Sequence, residues 1–203
     1  MKSQKLEGQP QDEFKKKYNL VDESDEILST KMDRFDFSNP PVDPEELGKE
    51  LLGHMRYFGG IGLSANQLGL PYRVFVMEGD PGFVCFNPRI TAHAGDEVLL
   101  EEGCLSYPGL YIKKKRPAMI RCNFQDPFGN SITKRFSGIS SRIFQHEYEH
   151  LEGGNFLEGI SKLKLDMAKK RQEKLLRKVQ KQRKLLLKAE KAGLIKKKDP
   201  NES

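Results

Sequence analysis

At 203 residues, with 36% hydrophobic and 32% charged, the chain is long enough to bury a core of its own, and no apolar run is long enough to span a membrane. Its three cysteines lack paired spacing, which argues against a disulfide framework and for a reducing compartment, and the expected localisation is cytoplasmic. The net charge of +6 hides two unlike parts: residues 1–160 hold nineteen Lys and Arg against twenty-four acids, whereas 161–198 hold sixteen against three.

Taken in chain order, residues 1–18 are polar, carry both charge signs and have no hydrophobic signal core, so a disordered leader is expected there. Residues 19–160 read as one folded domain, and 161–203 as a basic helix and tail. A helix is predicted over 44–58, then a glycine-rich loop. Strands follow near 72–78, 83–90, 97–102, 118–125 and 131–136, with a turn at Asp126-Pro127-Phe128-Gly129-Asn130. A second helix is predicted over about 139–151, with Gly153 and Gly154 as its stop. From Ser161 to Ala192 there is no Pro or Gly, and good helix formers dominate. That stretch reads as one long helix with a partial apolar stripe (Leu175, Leu176, Val179, Leu186, Leu187), ended by Gly193. Strands clustered between helices give the class α+β, with mainly antiparallel sheet.

Chemistry concentrates in three segments. His146-Glu147-Tyr148-Glu149-His150 puts two imidazoles one helical turn apart with a carboxylate between them, the spacing of a metal-gripping pair with a nearby base. The competing reading is two histidines on a helix surface. A catalytic metal wants a third ligand and an open position, and Cys104 in Glu101-Glu102-Gly103-Cys104-Leu105-Ser106 is the best candidate. A lone Cys is otherwise a small buried hydrophobe. A zincin protease would use a downstream His or Glu, and after His150 the chain offers Glu152 and Glu158 but no His. The third segment, Gly59 to Gln67, reads either as a tight turn or as a backbone that closely approaches a ligand. It lacks the Gly-Lys-Ser/Thr ending of a nucleotide loop, while Gln67 could donate to a peptide or a tetrahedral intermediate.

Together, Gly-Ile-Gly-Leu-Ser-Ala-Asn-Gln (60–67), Glu-Gly-Cys-Leu-Ser (102–106) and Gln-His-Glu-Tyr-Glu-His-Leu-Glu-Gly (145–153) resemble the three signature motifs of peptide deformylases, in the family's order. The resemblance covers about residues 20–160, with Ser64 where Ala is usual and Glu149 where Asp is usual. It implies antiparallel sheets wrapped round the helix that carries the histidines. It further implies hydrolysis of the formyl group of N-formylmethionyl nascent peptides. One divalent metal would sit on Cys104, His146 and His150, ferrous iron by resemblance, with zinc, nickel or cobalt also suited to the set. Glu147 would move the proton, and Gln67 and the Leu105 backbone N–H would stabilise the oxyanion. Ile61, Gly62 and Gly103 would pair with the peptide backbone. Leu100, Ile139, Ile143 and the His146 ring would hold the methionine side chain. The basic C-terminal helix suggests contact with ribosomal RNA. The other classes weighed are a metalloprotease or other amidase, against which Cys104 and Gln67 argue, and a non-enzymatic RNA-binding protein.

Overall fold

The computed structural model describes residues 16–80 and 82–192. Most of the expected leader, the stop at Gly193 and the tail beyond it lie outside the described residues. Helix α1 (Pro44–Tyr57) starts where the sequence marks it: the Asp43 side chain accepts from the N–H groups of Glu45 and Glu46, and Pro44 fills a position whose N–H is not needed. Five strands follow, β1 (Gly62–Ser64), β2 (Val74–Met77), β3 (Phe83–Cys104), β4 (Tyr107–Gln125) and β5 (Ser131–Ser137). They form one antiparallel sheet in chain order. Helices α2 (Gly138–Leu151) and α3 (Lys162–Lys191) complete the α+β fold.

The expected strands at 83–90 and 97–102 are a single strand. Ala94-Gly95-Asp96 has the composition of a break, but the structure makes it a bulge: Gly95 and Asp96 together face Ala118, and Gly95 takes φ +74°. The sequence also missed the first half of β4, where Lys113-Lys114-Lys115 masks the alternation. Four register shifts in the β3–β4 hairpin bend it, as bulges do.

β2 is buried on both faces and organises the core. Val74 and Val76 pack with Leu47, Leu51 and Met55 of α1. Phe75 and Met77 pack with Ile143 and Phe144 of α2. α2 is thereby enclosed, and nine of its fourteen residues are buried. A third cluster joins Cys104, Leu110 and Ile112 of the hairpin to Phe156 and to Ala168 of α3. The division expected at residue 160 therefore falls before a helix whose early turns pack into the body.

Candidate active site

His146 and His150 stand one turn apart on α2, their rings edge-to-face with centroids 5.1 Å apart. Cys104 ends β3, just before the two-residue turn Leu105-Ser106 into β4. This geometry brings one ligand atom from each of the three residues within 4.8 Å of the others, all of them buried. Cys104 Sγ lies 3.2 Å from His150 Nε2. His146 Nδ1 lies 3.1 Å from Glu102 Oε2, which leaves its Nε2 for the centre. Two imidazoles and a thiol facing one another in a buried site fit a tetrahedral divalent ion with one open position. Asn66 Nδ2 donates to the His150 carbonyl at 2.8 Å, which ties the end of α2 to the glycine-rich segment.

An ionic network backs the histidines. Arg116 donates twice to Glu102, at 2.6 and 2.9 Å, and once to Glu149 at 2.9 Å. Arg142 also donates to Glu102, and Lys114 Nζ lies 2.8 Å from Glu149. Burial would raise the Glu102 carboxyl, but His146 and Arg116 outweigh it and hold it well below the usual range. Burial would likewise lower His146, yet its hydrogen bonds to Cys104 and Glu102 raise it to about 10. His150 lies well below the ordinary range, first through burial and then through the charges of His146 and Arg116.

Glu147 is buried beside the triad, and burial raises its carboxyl above the ordinary value despite the charge of His146. Ser64 Oγ donates to Glu147 Oε2 at 2.8 Å. The other carboxylate oxygen lies against Gly62, where an added Cβ would come within 2.4 Å of it; any side chain there would displace the acid. Gln67 is held from both ends: Oε1 accepts the Ser64 N–H at 2.9 Å, and Nε2 lies 3.1 Å from Ser106 Oγ and 3.4 Å from Cys104 Sγ. Its amide donor thus points at the centre.

A cavity of about 460 Å³ opens over these groups. Ile61, Gly62, Gly103, Leu105, Ile139 and Ile143 line it, together with Gln67, Cys104, His146 and Glu147. His150 lies beneath, buried. Leu100 does not line the cavity; it is 44% exposed on β3. Arg142 is on the wall instead: it reaches across to the carbonyls of Val98 and Lys114 and occupies that side of the cavity. Sequence reasoning assigned no role to Arg142, Arg116 or the Ser64 hydroxyl, and held Glu102 only as a fallback proton carrier, not as the partner of His146. Position 142 lies four residues before His146, so helical spacing alone puts it on the ligand face.

A buried nitrogen-and-sulfur triangle, flanked by a carboxylate and a fixed amide donor at the floor of a cavity, is the layout of a hydrolytic metal centre. The family model of polypeptide deformylases matches residues 17–166. Peptide deformylase 1B, chloroplastic/mitochondrial, of Arabidopsis thaliana is 34% identical over 172 residues, covering 82% of this chain and 62% of that protein. The peptide deformylase of Wolbachia sp. subsp. Brugia malayi (strain TRS) is 34% identical over 175 residues, covering 79% and 97%. Among solved structures, a Synechococcus elongatus peptide deformylase in complex with actinonin aligns with a TM-score of 0.73 at 29% identity, covering 78% of this chain and 87% of that one. This chain belongs to the peptide deformylase family, and so to the hydrolases.

Proposed function

We propose that this protein hydrolyses the formyl group from the N-terminal formylmethionine of nascent polypeptides, releasing formate and a free amine. The observation that carries this is the convergence of Cys104, His146 and His150 within 4.8 Å beneath a cavity lined by Glu147 and Gln67. The three ligands would hold one divalent ion, expected to be Fe²⁺, with Zn²⁺, Ni²⁺ or Co²⁺ also suited to the donor set. Once bound, such an ion supplies Lewis acidity and makes water a competent nucleophile near neutral pH.

This chain's own groups do the rest. Glu147, raised by burial, is suited to take the proton of the attacking water and pass it to the leaving amine. Gln67 Nε2 and the Leu105 N–H would donate to the oxygen on which charge builds, each such donor being worth about 3 kcal/mol in a transition state. β2 pairs β3 only over Phe83–Phe86, so a peptide could lie as a strand between Gly103 and the Ile61-Gly62 segment. Ile139, Ile143 and the His146 ring would receive the methionine side chain. The proposed workplace is the ribosome in the cytoplasm, with α3 facing the RNA; among the described residues no helix is long and apolar enough to cross a membrane.

Formate release from formyl-Met-Ala-Ser under anaerobic, ferrous conditions tests this reading. Turnover that is lost on chelation and competitively blocked by actinonin is the expected result. A fully loaded protein that releases no formate would overturn the proposal.

A further inference from the structure

The cavity wall contains a stretch of β4 that the sheet itself does not hold. The register jumps from Gly103↔Tyr111 to Cys104↔Tyr107, so Pro108, Gly109 and Leu110 have no partner on β3. Gly109 takes φ +76° within this bulge. All three residues line the cavity.

What holds them is α3. Leu110, 2% exposed, packs in one cluster with Ala168, 1% exposed. Gln172 Nε2 donates to the Pro108 carbonyl at 2.9 Å. Leu175 and Leu176 lie over Gly109, in ordinary contact range (3.6 and 3.7 Å) of where a Cβ would sit. One helix thus touches every residue of the bulge, through the face 168, 172, 175–176 that helical spacing predicts. Past Leu176 the apolar residues turn to solvent: Val179, Leu185, Leu186 and Leu187 are 47–58% exposed.

We infer that residues 168–176 of α3 act as a splint for the substrate cavity, and that Gln172 is a positioning residue that sets Pro108–Leu110 against the bound peptide. This rests on the deformylase reading of the cavity. The wall touches the substrate away from the reacting carbon, so it contributes equally to ground-state and transition-state binding. Its loss acts on KM and spares kcat.

The test uses the full chain and formyl-Met-Ala-Ser. Gln172→Glu keeps the shape but replaces the donor by acceptors. It should raise KM about three- to tenfold, the effect of one ordinary hydrogen bond, with kcat nearly unchanged. Gln172→Arg retains a donor and should restore KM. Leu175→Ala/Leu176→Ala should raise KM further, whereas Val179→Ala/Leu186→Ala, beyond the contact, should leave it unchanged. Hydrogen exchange over residues 107–111 should speed up in the first and third variants, and this readout needs no activity. Unchanged KM and unchanged exchange in both would overturn the splint. A wild-type protein without formate release would sink the deformylase reading alone, leaving exchange to decide the splint.

Discussion

α2 and α3 are both rich in polar residues and use them in opposite ways. α2 buries Arg142, Gln145, His146, Glu147 and His150 inside the body. Burying such groups is costly unless each finds partners. Glu102, Ser64 and backbone carbonyls meet the first four, while His150 faces Cys104 through Nε2 and its buried Nδ1 has no partner among the described residues. α3 keeps its charges in water. Its ion pair Arg177–Glu173 spans 3.6 Å with side chains 81% and 65% exposed, a geometry worth only about 0.3–0.5 kcal/mol. Charge placed among fixed partners is available for chemistry at one point; charge left in solvent is available to a partner over a wide surface.

The largest effects should come from α2 and its neighbours. Cys104→Ser puts a hydroxyl in place of the sulfur proposed to hold the metal and should abolish or severely reduce metal retention, measured as metal per protein. Glu147→Ala should keep the metal yet lose at least about 100-fold in turnover, the lower range for a positioned acid–base group. Near-normal activity in that variant would move the proton shuttle to Glu102 or Glu149.

Next comes a direct contrast of stability. Glu102→Ala leaves Arg116 and Arg142 buried without their shared carboxylate, and should cost about 3–5 kcal/mol in denaturant unfolding. The matched change on α3, Glu173→Ala, should cost no more than about 0.5 kcal/mol. Equal costs would mean that the buried network is not holding the site.

A third experiment divides α3 itself. Ten of the sixteen basic residues of 161–198 follow Leu176. Ending the chain at Leu176 removes them but leaves Ala168 and Gln172 on the wall. That protein should keep its activity on short formyl peptides and lose ribosome co-sedimentation. Co-sedimentation of the full chain should weaken steeply between about 50 and 200 mM salt, as counterion release requires. Ending at Ile160 also strips the cover from Leu110 and Phe156, so loss of function there would not isolate docking. Undiminished co-sedimentation at low salt after either cut would give the basic half another role.

The same contrast explains what the sequence could tell. The candidate histidine pair was legible because 146 and 150 obey helical spacing; Cys104, by itself a small buried hydrophobe, stood out only because the three motifs occur together in the order of the family they resemble. The class of fold was legible from the run of strands between helices. The Glu102–Arg116–Arg142 network was not, because its members come from two strands and a helix and meet only in three dimensions. Leu100 was named for the methionine pocket; helical spacing puts Arg142 on the face of His146, but only the folded chain brings it to the carbonyls of Val98 and Lys114 on that wall. The packing of α3 was equally hidden. Ala168 is a good helix former anywhere, and only the β4 bulge gives it a face to cover.

Within the buried network itself the smallest effect is expected at Glu149, where the family resemblance leads to an expectation of Asp. The longer side chain reaches both Lys114, at 2.8 Å, and Arg116, at 2.9 Å. Arg116 has its main partner in the nearly buried Glu102, so it does not depend on Glu149. Glu149 itself is 28% exposed at the side chain, where water screens the pair. Glu149→Asp should therefore keep one of the two contacts and change stability by less than about 1 kcal/mol, with kcat and metal content unaltered. Glu149→Ala, which removes both, should cost more, because Lys114 is only 13% exposed and would lose its anion. Thermal unfolding of the two variants beside the parent decides it. An aspartate variant as unstable as the alanine one would show that the added methylene is required to span Lys114 and Arg116, and that this chain has rebuilt the network around the longer acid.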